Sequence, residues 1–183
     1  MKKIDLGLRG PVLLDPDVFR DDRGFFMESW NRRTFAEVVG EDVEFVQDNH
    51  SRSFSGVLRG VHYQLPPHAQ GKLVRVTRGS VWDLAVDLRR SSPTFKKWVG
   101  VELTEDNALQ LWIPLGFGHG FLTLSEVADV LYKSSAHYAP DVDRCLRWDD
   151  PEMAIDWPLD GRQPTVSERD AGGATLAEAA LFD

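Results

Sequence analysis

The stretch GVLRGVHYQLPPHAQGKLVRVTRG, Gly56–Gly79, decides how the rest of the chain is read. It holds two strand-like runs, Val57–Gln64 and Lys72–Arg78, joined by a loop containing Pro66, Pro67 and Gly71. Side chains alternate along a strand with a period of two. On that period His62 shares a face with Leu58, and Lys72 shares one with Val74 and Val76. A histidine and a lysine in phase with apolar residues face an interior. A cation there needs a partner, a ligand or a chemical task.

Similar runs continue on both sides, punctuated by Gly, Pro, Asp and Ser: Val12–Leu14, Gly24–Trp30, Val43–Asp48, Ser80–Leu88, Trp98–Leu103, Gln110–Ile113, His119–Leu124 and Val127–Ser134. Many short strands with tight links such as Arg78-Gly79-Ser80 predict an all-β antiparallel sandwich or barrel rather than βαβ units. Asn31–Val39 reads as a short helix, with Asn31 its N-cap and Phe35, Val38 and Val39 on one face. The Ala-rich AGGATLAEAALF (Ala171–Phe182) reads as a short helix or a tail. No repeat, linker or low-complexity tract divides residues 1–183, which are expected to form one domain.

Alternation places further polar groups on apolar faces. His119 falls with Phe121 and Thr123, and Tyr132 with Ala128 and Val130. Trp82, Leu84, Val86 and Leu88 oppose Val81, Asp83, Ala85 and Asp87, predicting one packed face and one mixed face. Each polar residue has an ordinary structural role open to it. His62 could be a satisfied core histidine, Tyr132 a packed ring with a tethered hydroxyl, and Lys72 a side chain snorkelling to solvent. His119 sits in PLGFGHGF, whose glycines could serve a sharp turn. Their convergence is more informative, because a base, a cation and a second acid are the parts needed to move protons beside a carbonyl. In a barrel, such residues at one open end line a pocket.

Bulk composition narrows the partners. Across 183 residues, 42% are hydrophobic and 27% charged, as in ordinary globular proteins. A net charge of −8 argues against nucleic acid as a general partner. The single cysteine, Cys145, leaves no disulfide framework. With no apolar leader in MKKIDLGLRG and no run long enough for a membrane span, a cytoplasmic protein with no membrane partner is expected.

Pro114-x-Gly116-x-x-His119 resembles the second motif of the cupin superfamily, and Gly56, His62 and Gly79 keep the spacing of the first. The second histidine of that first motif is replaced by Gln64, however, and Lys72 lies near the glutamate position. A cation there repels a divalent metal, so the expectation is no metal and no cofactor. A metal-dependent cupin, such as an oxygenase, is the rival enzyme reading. A binding module without catalysis is the non-enzymatic one.

Longer motifs resemble one family. The segments Ser53–Leu103, LWIPLGFGHGFLTLSE, LYKSSAHYAP and CLRWDDPEMAIDWP, with FRDDRGFFMESWN and FVQDNHSRS before them, look like the dTDP-4-dehydrorhamnose 3,5-epimerases. The likeness covers about Val12 to Asp170. It implies a metal-free cupin jelly roll, a barrel or sandwich with a few short helices, that inverts C3 and C5 of dTDP-4-dehydro-6-deoxy-D-glucose. A narrower relative would invert only C5 or only C3. The resemblance makes His62 the general base, Asp170 its partner, Lys72 the stabiliser of the enolate oxygen, and Tyr132 the acid on the opposite face. Arg59 and His119 would line the sugar site and help hold the nucleotide. Gln47, Asn49, Tyr138, Asp143 and Arg169 would contribute to binding. Arg23 and Glu28 would reach a neighbouring subunit's site in a homodimer. Asp143 stands where the family often has Glu, and Arg169 where it often has Lys. On an ideal strand Arg59 is out of phase with His62, so its implied role requires a twist or bulge near Gly60.

Overall fold

The computed structural model describes residues Met1–Asp183. Thirteen strands and two short helices run in the order β1 (Lys2–Ile4), β2 (Val12–Asp15), β3 (Val18–Asp21), β4 (Gly24–Met27), α1 (Arg32–Val39), β5 (Gln47–Phe54), β6 (Leu58–Gln64), β7 (Lys72–Arg78), β8 (Ser80–Asp87), β9 (Trp98–Thr104), β10 (Gln110–Ile113), β11 (Phe117–Thr123), β12 (Val127–Ser134), β13 (Asp143–Cys145) and α2 (Glu168–Ala171). A six-stranded sheet, β1-β2-β10-β7-β12-β5, faces a five-stranded sheet, β13-β6-β11-β8-β9, and β3 and β4 form a separate hairpin. Every strand pair in these sheets is antiparallel. This is the all-β sandwich that the strand spacing predicts.

Three apolar layers hold it. The central one joins Leu13, Val74, Val76, Leu111 and Val130 of one sheet to Val81, Ala85, Leu103, Phe117 and Phe121 of the other. The outer face of the five-stranded sheet packs Leu58, Val61, Tyr63, Leu84 and Val86 against Leu146, Met153, Trp157 and Leu176 from the C-terminal third. On the outer face of the six-stranded sheet, Val12, Leu14, Leu73 and Trp112 meet Phe35 of α1. Strand β8 is therefore covered on both sides, and Val81, Leu84, Ala85 and Val86 are all fully buried. The expected contrast holds: Trp82, Leu84, Val86 and Leu88 pack into the outer layer, while Val81 and Ala85 share the other face with the buried Asp83 and Asp87.

Local chemistry fixes α1. The Asn31 side chain accepts from the Arg33 and Thr34 amides at 3.1 and 3.3 Å, and Gly40 ends the helix at φ 88°. Phe35 then meets Phe45 and Trp112 edge-on at 5.6 and 5.3 Å.

Several expected boundaries move. The run Val43–Asp48 becomes strand only from Gln47, and continues through the polar QDNHSRSF to Phe54, while Phe45 packs on the helix instead. Gly24–Trp30 shortens to Gly24–Met27, since Trp30 turns to Phe45. Strands β1, β3 and β13 lie in stretches too short or too charged to register as strands. The C-terminal segment is neither helix nor loose tail. Leu176 and Ala179 are buried, and Ala180 accepts a hydrogen bond from the Tyr63 hydroxyl at 2.6 Å. No helix is long and apolar enough to cross a membrane.

Candidate active site

Strand register lays out the interior in rows, because residues opposite one another in antiparallel strands share a face. On the five-stranded sheet, Ala85, His119, His62 and Cys145 form one row. Asp83, Phe121 and Arg59 form the next. On the six-stranded sheet, Lys72, Ser134 and Gln47 form one row, and Val74, Tyr132 and Asn49 the next. The two sets of rows face each other, with the His119 and Tyr132 rings 6.4 Å apart between centroids.

The phase of Arg59 is resolved by a bulge. Across β6 the pairing runs from His62 opposite His119 to Arg59 opposite Phe121, so three steps on β6 match two on β11. One extra residue in a strand reverses the alternation beyond it. Arg59 thus joins His62 on the inner face, and Leu58 moves to the outer layer with Val61 and Tyr63, not to the His62 face as ideal alternation predicts. Gly60 makes this possible. Its φ is +129°, and a Cβ there would lie 2.6 Å from the Gly120 Cα, so only paired glycines allow the two strands to approach.

His62 lies 2.5 Å from Asp170 through its Nε2. Asp170 is buried on α2, where Ser167 caps its amide at 3.1 Å. Burial tends to raise the Asp170 pKa, but bonds from His62, Ser167 and Cys145 hold it below the ordinary carboxylate value. Burial lowers the pKa of His62, with the nearby Asp170 carboxylate acting in the opposite direction. An ionised Asp170 can only accept, so the neutral imidazole donates from Nε2 and keeps a free lone pair on Nδ1. The His62 side chain remains 27% exposed, open to a ligand.

Lys72 is only 8% exposed. Burial pulls its pKa down to about 8, opposed by the charges of Asp143 and Asp83, and no hydrogen bond contributes. Its Nζ is 5.8 Å from the centre of the Tyr132 ring. Burial raises the Tyr132 pKa, so this phenol is a proton donor at neutral pH. His119 places Nε2 3.1 Å from both oxygens of Asp83, which is fully buried.

At the rim a polar chain links the edges of the sheets. Arg169 pairs with Asp143 at 2.7 Å, and the Tyr138 hydroxyl donates to Asp143 at 3.2 Å. The Tyr138 amide donates to Gln47, whose own amide reaches Asn49 at 2.8 Å. Arg59 donates to Ser53 at 2.9 Å. By contrast, Arg23 is bound only to Asp21 on the β3–β4 hairpin, its side chain 90% exposed, and Glu28 accepts from Asn31 at the start of α1. A single chain does not bring these two to the cluster.

The cupin ligand positions do not fit a metal. Gln64 spends its side-chain nitrogen on the carbonyls of His68 and His137 and its oxygen on the Ala139 amide, and Lys72 brings a cation. His50 alternates to the opposite face from Asn49 and lies against Asp129. Sequence reasoning missed Asp83, Ser53 and Cys145 as neighbours of the cluster. For Asp83 the signal was present, since it alternates in phase with the buried Val81 and Ala85.

Comparison with known proteins places these features in context. Residues 5–178 match the family model described as dTDP-4-dehydrorhamnose 3,5-epimerase. The dTDP-4-dehydrorhamnose 3,5-epimerase of Pseudomonas aeruginosa is 56% identical over 182 residues, covering 100% of this chain and 99% of its own. The dTDP-6-deoxy-D-glucose-3,5-epimerase of Legionella pneumophila, solved with dTDP-4-keto-L-rhamnose, superposes with a TM-score of 0.95 at 44% identity, covering 99% of this chain and 97% of that one. A 3′-monoepimerase from Streptomyces bikiniensis, solved with dTDP-quinovose, superposes with a TM-score of 0.87 at 33% identity, over 97% and 88% of the two chains.

Proposed function

The chain belongs to the dTDP-4-dehydrorhamnose 3,5-epimerase family and is an isomerase; from that premise we propose that it inverts C3 and C5 of dTDP-4-dehydro-6-deoxy-D-glucose to give dTDP-4-dehydro-L-rhamnose. The observation that carries this reading is the placement of His62 on one sheet and of Lys72 and Tyr132 on the sheet facing it. A sugar ring between them has a base on one side and an acid on the other. Inversion needs that arrangement, because one residue alone would mostly return the proton it took.

Nδ1 of His62 removes the proton from a carbon beside the C4 ketone. Asp170 keeps the imidazole in the tautomer that leaves Nδ1 free and stabilises the imidazolium that forms. Charge then develops on the C4 oxygen, and the Lys72 ammonium offsets it in a site with little competing water. Tyr132 delivers a proton to the opposite face. Arg59 offers its guanidinium to the diphosphate, with His119 held against the sugar by Asp83. Gln47, Asn49, Tyr138, Asp143 and Arg169 form the rim through which the nucleotide enters. No step draws on a metal or cofactor.

The reading extends to assembly. Phe19, Phe25 and Phe26 on the β3–β4 hairpin are 65%, 62% and 67% exposed, more apolar surface than a free hairpin should present. In a homodimer this hairpin would carry Arg23, and with it Glu28, to the neighbouring site. Residues 1–183 act as one domain, and the cytoplasm is the proposed location. The test is turnover of the dTDP-4-keto sugar in deuterated water, followed by NMR. Deuterium at C3 and C5 is expected. Exchange at one carbon alone would assign the narrower reaction, and binding without exchange would overturn the enzymatic reading.

A further inference from the structure

Beside the His62–Asp170 pair stands a third potential ligand that the proposed reaction leaves unused. Cys145, on the edge strand β13, is the register partner of His62 on β6. Its Sγ lies 3.6 Å from Asp170 Oδ1. One imidazole nitrogen, one thiol sulfur and one carboxylate oxygen from these residues all fall within 4.8 Å of one another. They come from three separate elements, β6, β13 and α2, so the grouping is a product of the fold and not of neighbouring positions in sequence.

We propose that His62, Cys145 and Asp170 form a binding site for a thiophilic divalent cation such as Zn²⁺ or Cd²⁺, and that occupancy blocks the enzyme by taking its base. The site shares only His62 with the cupin ligand positions and uses neither Gln64 nor Lys72. Three protein donors with a fourth position open is a common arrangement for Zn²⁺. Small side-chain rotations bring donors so grouped to bond lengths of about 2.0–2.3 Å. A nitrogen, a sulfur and a single oxygen suit a soft or borderline ion and disfavour Mg²⁺, which asks for an octahedron of oxygens.

Protons balance as follows. Asp170 is already ionised and exchanges its hydrogen bond from His62 for a bond to the metal. The imidazole stays neutral, with its proton moving through solvent from Nε2 to Nδ1 as the metal takes Nε2. Cys145 alone gives up a proton, which leaves to water as the thiolate binds the metal. That transfer silences the very lone pair on Nδ1 that would attack the sugar. The positive charges of Lys72 and Arg169, both of which act on His62, limit the affinity without removing the donors.

Equilibrium dialysis of tag-free protein against Zn²⁺, Cd²⁺ or Mg²⁺ tests the site, with the cadmium–thiolate charge-transfer band read in the ultraviolet. One Zn²⁺ or Cd²⁺ per chain is expected, with the band present, and no retention of Mg²⁺. Cys145→Ala and Cys145→Ser are expected to lose the band and bind about 100-fold more weakly, at the upper end of what loss of even an outer-shell partner costs a metal site. Metal inhibition of the epimerase should weaken in step. Equal binding by wild type and both variants, or retention of Zn²⁺ no better than Mg²⁺, overturns the proposal. The dialysis and the absorption band are read without substrate, so they stand or fall independently of the proposed reaction.

Discussion

Replacing Lys72 with methionine separates what the fold wants from what the chemistry wants. Lys72 is 8% exposed, and burial brings its pKa from 10.5 to about 8. At about 1.4 kcal/mol for each tenfold change, that difference corresponds to about 3 kcal/mol of strain on the charged form in the folded protein. The sign follows from which state holds the proton. Below pH 8 both states are charged, and the fold bears the full desolvation cost. Between pH 8 and 10.5 the unfolded chain binds a proton that the folded chain has released, so stability rises with pH across that window. Methionine fills a similar volume without a charge. Lys72→Met is therefore expected to be more stable than the wild type at pH 7 by up to about 3 kcal/mol, or roughly 6–12 °C in Tm for a chain of this size. The advantage should vanish by pH 10.5. Urea unfolding at pH 7, 9 and 10.5 measures it, and the difference between the proteins cancels all other titrating groups. Turnover should move the other way, falling about 10²–10³-fold, the scale for one donor to a developing oxyanion. Wild-type kcat/KM should itself decline above about pH 8 as the ammonium is lost. A variant no more stable than wild type at pH 7, or one with near-normal turnover, refutes the account of Lys72 as a costly, functional charge.

Asp170→Asn keeps a hydrogen-bonding group beside His62 but removes the charge and permits the wrong tautomer, so kcat should fall by about 10²–10⁴ while circular dichroism is unchanged. Gly60→Ala forces a Cβ to within 2.6 Å of the Gly120 backbone at a φ of +129°, and is expected to cost about 1–3 kcal/mol and to raise KM as Arg59 shifts; a stable variant with normal KM would show that the bulge tolerates a side chain. Asp87 is fully buried, and although burial raises its pKa, bonds from Arg89, Ser92 and Thr94 bring it to about 2. Asp87→Ala should cost about 3 kcal/mol at pH 7, measured by denaturant unfolding. The wild-type contribution is fully present above pH 3.8 and is lost as pH falls toward 2, so the two proteins should converge in acid.

The sequence made the strand inventory legible wherever apolar residues alternated. Lys72–Arg78, Gln110–Ile113 and Val127–Ser134 have the bounds that pattern implies. It failed at β5, because Gln47, Asn49, Ser51 and Ser53 face the interior with small polar side chains, and periodicity in hydrophobicity cannot register a polar face that lines a site. Alternation also misplaced Leu58, since a single inserted residue at Gly60 inverts the phase and only the partner strand reveals it. The cluster itself was readable from Lys72, His119 and Tyr132, each out of character with its face, whereas His62 was read as interior beside Leu58, which lies on the other face. Asp170 was reached only through family resemblance, because a carboxylate 108 residues from its histidine leaves no local trace. The C-terminal segment looked helical by composition, yet Leu176 and Ala179 gain more from burial against the five-stranded sheet than a short alanine-rich helix gains on its own.

That docking bears on when the enzyme becomes active during its own synthesis. Strands β5 to β12, which supply His62, Lys72, His119 and Tyr132, are complete once Ser134 has emerged from the ribosome. The Asp170 carboxylate, which bonds to His62, arrives later, and the stretch from Ala174 to Phe182 fastens the segment through the Leu146–Ala174 and Arg89–Phe182 bridges. A nascent chain can thus own a nearly finished barrel and still lack the His62–Asp170 pair. On the proposed mechanism, catalytic onset is expected to follow the docking of this segment rather than the folding of the strands before it.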